Sequence, residues 1–462
     1  MPSTTAKNVA RPAGHPISRR QFIGGATLAA AGFMIGPRHL LGQGGGKPPS
    51  AKLNIAGIGV GGQGGHDISQ MTDENIVALC DVDSAHAGGI FRRYPDAKIH
   101  TDYRKMLAEQ KDIDAVVIAT PDHQHAIIAM AAIKMGKHVY CEKPLTHTVW
   151  EARQLAQAAR EHKVATQMGN QGQASEETRQ LCELIWDNAI GPVREVHVWT
   201  DRPANGLFNE YWPQGVERPK DTPSVPDTLD WDLWLGPAPL RPYNPAYLPF
   251  RWRGWLDFGT GALGDIGCHA CDPVFRALKL GQPISVEASS SRVNKETYPL
   301  ASMVTYHFPA RGEMPPVKLV WSDGGLRPPR PEELEAGAEM GANGHLFIGD
   351  SGKILSQKKG YALIPEKRQK EYGMPPRKLP RSIGHYKEWI AACKGGPAAG
   401  SNFDWAGPLT EVVLLGNVAL RQQLREELTS KKLLWDGGNL RFTNSEEANS
   451  FLKSEYRKGW SL

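Results

Sequence analysis

A short apolar run, Leu53-Asn54-Ile55-Ala56-Gly57-Ile58-Gly59, leads straight into a glycine-rich turn. It reads as a buried strand carrying Gly57-x-Gly59-x-x-Gly62 at its end. In a strand–turn–helix unit the first glycine makes the tight turn, the second lets backbone approach a pyrophosphate, and the third permits close helix–strand packing. Backbone N–H groups at the start of the following helix would face the phosphates. In a chain with 49 glycines a chance match is a real alternative, so context decides.

That context is an alternation of strands and helices. Ile76-Val77-Ala78-Leu79 is a second strand ending at Cys80-Asp81, followed by a helix over 84–94. Asp81 lies 19 residues after Gly62, where an acidic side chain should accept hydrogen bonds from a ribose. Asp81 as a helix N-cap is the plainer alternative, although Asp83 or Ser84 could fill that role. Ala115-Val116-Val117-Ile118-Ala119 is a strand, and Thr120-Pro121 opens a helix running to about Met135. His138-Val139-Tyr140-Cys141 and Val164-Ala165-Thr166-Gln167-Met168 are further strands around a helix from Val149 to Glu161. Such alternation implies a doubly wound parallel sheet with its ligand beyond the C-terminal strand ends. The strand-end residues Gly57, Asp81, Thr120, Pro121, Glu142, Lys143 and Asn170 are therefore the candidates.

Further motifs follow: Cys80-Asp81-Val82-Asp83, Ala119-Thr120-Pro121-Asp122-His123-Gln124-His125, Glu142-Lys143-Pro144, and Gly264-Asp265-Ile266-Gly267-Cys268-His269. Together with the glycine loop they resemble the Gfo/Idh/MocA family of sugar and polyol oxidoreductases, over most of residues 51–430. Each motif alone is unspecific; Glu-Lys-Pro followed about 120 residues later by Asp-x-x-x-His is specific in combination. The resemblance implies an N-terminal Rossmann domain (51–170) and a C-terminal α/β domain (171–462) with a large, mostly antiparallel sheet. Helices around 382–426 are expected to pack back on the first domain. The resemblance further implies a catalytic set of Lys143, Asp265 and His269. Trp231 to Gly236 and Leu409-Thr410-Glu411 are also similar to segments of secreted relatives.

The chemistry of these residue types points the same way. Oxidising a secondary alcohol removes a proton from oxygen and a hydride from carbon, and His is the natural base. Asp265 and His269 are four apart, on one face if helical, so the carboxylate could orient the imidazole. Lys143 can stabilise developing alkoxide charge. The plainer alternative is a surface ion pair and a solvated lysine. Glu142 is expected to orient neighbours or meet the cofactor, and Pro144 to hold a turn, as a cis bond, that aims Lys143. His123 and His125 either touch the cofactor or cap and pack, with His125 placed among the cofactor contacts. No metal site is expected. Cys268 and Cys271 form a C-x-x-C that reads as packing beside His269.

Between 200 and 260 the chain is rich in aromatics and arginine. Aromatic faces suit sugar rings, and Arg251, Trp252 and Trp255, with Asn170, are the expected substrate contacts. Interleaved acids argue against nucleic acid. Residues 323–345 read as a long loop, a candidate lid.

Residues 1–50 hold six Lys and Arg and no Asp or Glu. Arg19-Arg20-Gln21-Phe22 precedes an uncharged run to Gly36, too short and glycine-rich to span a bilayer. The segment resembles a twin-arginine (Tat) signal, although the usual Lys after the motif is Gly24. A basic tail or transit peptide is the alternative. Residues 42–50 read as a linker. Without this segment, 48 of the 54 Lys and Arg face all 49 Asp and Glu, a near-neutral body suited to an uncharged substrate. The expected protein is thus an exported, periplasmic NAD-dependent oxidoreductase of a sugar, polyol or glycoside. NAD is expected over NADP and tightly held. The Tat machinery is the export partner, no membrane span remains after processing, and a homo-oligomer is expected. The alternatives are a redox-neutral NAD-dependent glycosidase and a non-catalytic sugar-binding protein.

Overall fold

The computed structural model describes residues 52–204, 209–357, 360–421 and 431–462. The export signal and linker expected over 1–50 lie outside the described residues.

Six strands build the first sheet: β1 (Asn54–Ile58), β2 (Asn75–Cys80), β3 (Lys98–His100), β4 (Ala115–Ile118), β5 (His138–Cys141) and β6 (Thr166–Met168). Their order is β3-β2-β1-β4-β5-β6, and every pairing is parallel. Parallel sheets are covered on both faces, which is why β4 is an unbroken Ala-Val-Val-Ile run and fully buried. The strand order reverses between β1 and β4, opening a crevice at their C-terminal ends. Helices Gln63–Ser69, Asp122–Lys134 and Val149–His162 provide crossovers. The last begins with a reciprocal cap: the Glu151 backbone N–H donates to Thr148, and the Thr148 backbone N–H donates to the Glu151 carboxylate.

One strand is unannounced by the sequence and one expected helix is shorter. Strand β3 is three residues long with Ile99 exposed, too short to leave a periodic signal. The helix expected over 84–94 forms only as Gly88–Arg93. Asp83 Oδ1 accepts from the Ala85 and His86 N–H groups and holds the preceding residues in a turn.

The second sheet has nine strands in the order β13-β12-β11-β7-β10-β9-β8-β14-β15. Its centre is β7 (Val193–Trp199), β10 (Val317–Ser322), β9 (Ser302–Phe308) and β8 (Ser285–Ser290). One flank adds β11 (Gly344–Gly349), β12 (Gly352–Gln357) and β13 (Gly360–Ile364), and the other β14 (Leu433–Asp436) and β15 (Arg441–Phe442). Among the described residues of this sheet only β7 and β10 pair in parallel. Helices Gly261–Leu278 and Phe403–Ala419 pack on the inner face. There Val304, Tyr306 and Phe308 join Leu263, Phe275 and Val413 in a core continuous with that of the first sheet.

The chain then returns to the first sheet. Trp389 and Ala399 share a core with Ile55, Val60 and Tyr140. The Phe403 N–H donates to Thr166 Oγ1 at 2.9 Å. Arg153 grips the Glu411 carboxylate through Nε at 3.0 Å and Nη2 at 2.6 Å. Residues 323–345 do not cover the crevice. Leu334 packs with Trp199, Leu346 and Ile364, and Trp199 Nε1 donates to the Gly341 carbonyl, so this loop lies on the nine-stranded sheet. Among the described residues no helix is long and apolar enough to cross a membrane.

Candidate functional site

A cleft of about 1040 Å³, counting its open part, lies at the reversal point of the parallel sheet. Gly59, Gly61, Gly62, Asp81, Thr120 and Pro121 line it, as do Trp252 and Arg253 from the second domain. The glycines corrects to a different frame from the one the sequence suggested. Gly57 sits inside β1 and does not line the cleft. Gly59 has φ +77°, and a Cβ there would stand 2.7 Å from the Thr120 backbone nitrogen. A Cβ on Gly64 would collide with the Gly59 carbonyl, whereas one on Gly62 would meet only His86 Nε2, at 3.7 Å. Close helix–strand packing therefore falls on Gly64, and the working pattern is Gly59-x-Gly61-x-x-Gly64.

Asp81 stands at the end of β2 and braces this turn. Its Oδ2 accepts from the Gly61 N–H at 2.9 Å and its Oδ1 from the Asp83 N–H at 3.0 Å. Burial raises its pKa, against the pull of these two backbone donors. The cleft fits a dinucleotide: a glycine cradle opens a helix, a carboxylate sits at the ribose position, and Thr120 Oγ1 is buried without a hydrogen-bond partner among the described residues.

Beside the cleft, residues 122 positions apart meet. Lys143 follows β5, and its Nζ donates to Asp265 Oδ1 at 2.8 Å. Arg253 Nε donates to the same oxygen at 2.9 Å. Asp265 lies in the helix Gly261–Leu278, as does His269 one turn on. Burial works against the Asp265 charge, but Lys143 and Arg253 outweigh it and hold the carboxyl well below the usual carboxylate range. The expected role of Asp265 as orienter of His269 is corrected: its hydrogen bonds go to Lys143 and Arg253. His269 is half-buried, and burial followed by the Lys143 charge lowers its pKa to about 3, against the opposing pull of Asp265. Its imidazole is neutral at neutral pH. The Lys143–Pro144 peptide is cis.

Glu142 lies behind this cluster. Burial, then the neighbouring Asp67 carboxyl, push it up to about 8. It accepts from Gln171 Nε2 at 2.9 Å and does not line the cleft. His125 is also corrected: its ring nitrogens sit 2.8 Å from the Pro144 and Thr120 carbonyls, so it supports the backbone under the cleft rather than facing it. His123 lies 3.2 Å from both the Phe258 and Trp234 carbonyls and packs between the domains. Asn170 is buried, and neither side-chain heteroatom has a partner among the described residues.

Arg251, Trp252, Arg253 and Trp255 separate by geometry. Arg251–Gly254 is a 3₁₀ turn. Trp252 and Arg253 reach the cleft, while Arg251 points out and pairs with Glu210 at 3.9 Å. Trp255 is 1% exposed, packs edge-on to Tyr247 and donates to the Ala246 carbonyl, so it is core rather than a ligand contact. Cys268 and Cys271 are buried free thiols. Arg253 also lines the cleft, although nothing in the sequence separates it from its neighbours Arg251 and Trp252. Gln124, Trp234 and Trp460 line the cleft too and are not among the residues expected from the sequence. No local motif marks Trp460.

Fold and cleft together define a two-domain dinucleotide-binding protein. Residues 52–170 match the model described as oxidoreductase family, NAD-binding Rossmann fold, and residues 191–314 match the same family's C-terminal alpha/beta domain. The chain belongs to the Gfo/Idh/MocA oxidoreductase family, and its first domain is that family's NAD-binding domain. It is 29% identical over 150 residues to an inositol 2-dehydrogenase of Salmonella typhimurium, covering 32% of this chain and 44% of that protein. To the scyllo-inositol 2-dehydrogenase (NADP(+)) of Bacillus subtilis it is 22% identical over 252 residues, covering 54% and 58%. The chain thus spans about half the length of these curated relatives. In fold it resembles the WlbA dehydrogenase of Bordetella pertussis, solved with NADH and UDP-GlcNAcA. The TM-score there is 0.55 at 16% identity, over 83% of this chain and 100% of that one.

Proposed function

We propose that the protein is an NAD-dependent dehydrogenase that oxidises a secondary alcohol of a sugar, polyol or glycoside. The observation that carries this reading is the Lys143–Asp265 ion pair, 2.8 Å long, joined to the nucleotide cleft by Arg253. NAD, when bound, supplies the hydride acceptor. His269, neutral in its resting state, takes the hydroxyl proton. The Lys143 ammonium donates to the same substrate oxygen and stabilises the negative charge that develops there. Asp265, shared with Arg253, holds Lys143 in place. Burial first, and the Lys143 charge second, make His269 a weak base, and the same cation acidifies an alcohol bound beside it. Asn170, with both amide atoms free of partners, is a candidate for substrate hydroxyls. The relatives support a hydroxylated ring as substrate: two act on inositols by name, and WlbA was solved with UDP-GlcNAcA.

NAD rather than NADP fits Asp81 at the ribose position, since a carboxylate there repels a 2′-phosphate. Export through the Tat route, suggested by Arg19-Arg20, would carry a folded Rossmann domain out with its nucleotide. Tight retention of NAD follows from that route. The test is nucleotide analysis of the denatured leaderless protein, then a panel of sugars, polyols and aryl glycosides followed at the NADH band. Lasting NADH formed from a polyol or sugar supports the dehydrogenase. Phenol release without net NADH points instead to the redox-neutral glycosidase. Binding of sugars with neither reaction leaves only a sugar-binding role.

A further inference from the structure

Residues 453–462 lie beyond both segments matched to the family, yet they reach the nucleotide cleft. Tyr456 donates to Glu151, the carboxylate that also caps the helix Val149–His162. Arg457 binds Asp232 and, at 3.0 Å, the Gly236 carbonyl, and its own N–H donates to the Pro237 carbonyl at 3.0 Å. Lys134 Nζ donates to the Leu462 carbonyl at 3.1 Å. The segment is therefore anchored on both domains, and these anchors place the Trp460 indole in the cleft wall.

The position of that indole is informative. Asp81, Asp83, Thr101, Asp102 and Tyr103, at or after the ends of β2 and β3, line the same cleft, and Trp460 meets this side through Arg104, which follows Tyr103 and pairs with Asp102. Trp252 and Arg253 also line it, and Arg253 ties it to the Lys143–Asp265 pair by its 2.9 Å bond to Asp265. With the ribose at Asp81, the base lies on the far side from the chemistry. Arg104 stands over the Trp460 ring, its guanidinium carbon 4.5 Å from the centroid, and Arg457 approaches it at 5.9 Å. Arg104 is itself held by Asp102 at 2.8 Å, so its charge is compensated rather than offered to a 2′-phosphate. The indole is half-buried, leaving surface for a partner.

We propose that Trp460 is an adenine contact: residues 453–462 fold back as a strap whose indole packs on the base of bound NAD. The proposal rests on the cleft being the NAD site and adds a residue that affects the adenosine half alone. Base–aromatic contacts of this kind are worth roughly five-fold to a hundred-fold in affinity.

The test uses the purified protein, stripped of nucleotide, with calorimetric titration of NAD, ADP-ribose and nicotinamide mononucleotide. The wild type binding none of the three would refute the cleft as the NAD site, a failure distinct from that of the strap. Given wild-type binding, Trp460→Ala should weaken NAD and ADP-ribose by at least about five-fold and leave nicotinamide mononucleotide within two-fold. Trp460→Phe should keep most of the affinity. Unchanged affinity for NAD and ADP-ribose in Trp460→Ala would overturn the proposal. So would an equal loss for all three ligands with a lowered melting temperature, which would make Trp460 a structural prop. Arg457→Ala, which removes an anchor without touching the cleft lining, should reproduce the selective loss in milder form.

Discussion

Removing the Asp265 charge should expose how the Lys143 cluster is held. In Asp265→Asn two cations, Lys143 Nζ at 2.8 Å and Arg253 Nε at 2.9 Å, lose the one anion between them. Each pairing is worth about 6 kcal/mol gross at an effective dielectric constant of 20. Desolvation of all three groups, whose side chains are only 10–15% exposed, offsets most of that. The expected net loss on breaking the cluster is about 3–5 kcal/mol, because two poorly solvated charges are left uncompensated. Denaturant unfolding of wild type, Asp265→Asn, Lys143→Met and the double variant measures it. The double variant should recover at least about 1 kcal/mol relative to the sum of the singles, since each single leaves charge behind that the other removes. The pH dependence has a definite sign. Asp265 has its pKa depressed by folding, so its contribution is present above the ordinary carboxylate value of 3.8 and is lost as pH falls below it. The gap between wild type and Asp265→Asn should therefore be full at pH 7 and shrink below about pH 4. Additivity of the two singles within about 0.3 kcal/mol, or a gap that does not change with pH, would refute the reasoning.

Three other outcomes are expected. His269→Gln should lower kcat by about 10²–10⁴-fold with the fold intact; and because the resting imidazole titrates at about 3, its ionisation should produce no step in kcat/KM between pH 5 and 8, only a fall on the acid side as pH approaches 3. Asp81→Ala removes the acceptor of the Gly61 N–H and the carboxylate at the ribose, so NAD affinity should fall by at least about ten-fold while the ratio of NADP to NAD affinity rises, as titration of both nucleotides would show. Trp255→Ala should cost about 3–5 kcal/mol of stability, read from thermal or denaturant unfolding, and leave the substrate KM unchanged in the folded fraction, in keeping with a core residue.

The parallel sheet was legible because its central strands are continuous apolar runs set between helices at regular distance. That Lys143, Asp265 and His269 belong to one site was legible only through the family pattern, and the ion pair between Lys143 and Asp265, 122 residues apart, was not legible at all, since nothing local in either segment points to the other. The glycine turn was misread for a simple reason: Gly57-Ile58-Gly59-Val60-Gly61-Gly62-Gln63-Gly64 contains two overlapping matches to one spacing, and only backbone geometry separates them. Geometry also sorted the residues at 251–255. A 3₁₀ turn sends adjacent side chains about 120° apart, so Trp252 and Arg253 face the cleft while Arg251 faces solvent. Composition treats all of them alike. Trp460 was out of reach because its position depends on anchors contributed by Glu151, Asp232 and Gly236, remote in sequence.

The seam between the two domains has a consequence for how such a chain can change over time. His123 lies against the Phe258 and Trp234 carbonyls, Gln124 donates to the Leu233 carbonyl, and His147 lies 3.0 Å from the Gly259 carbonyl. On the second-domain side every one of these partners is main chain. These acceptors survive side-chain exchange at Leu233, Trp234, Phe258 and Gly259, whereas the Lys143–Asp265 and Arg153–Glu411 pairs cross the same seam through side chains. The second domain can thus change at those four positions while its alignment on the first is kept, with the burden of invariance falling on His123, Gln124 and His147 and on the two side-chain pairs.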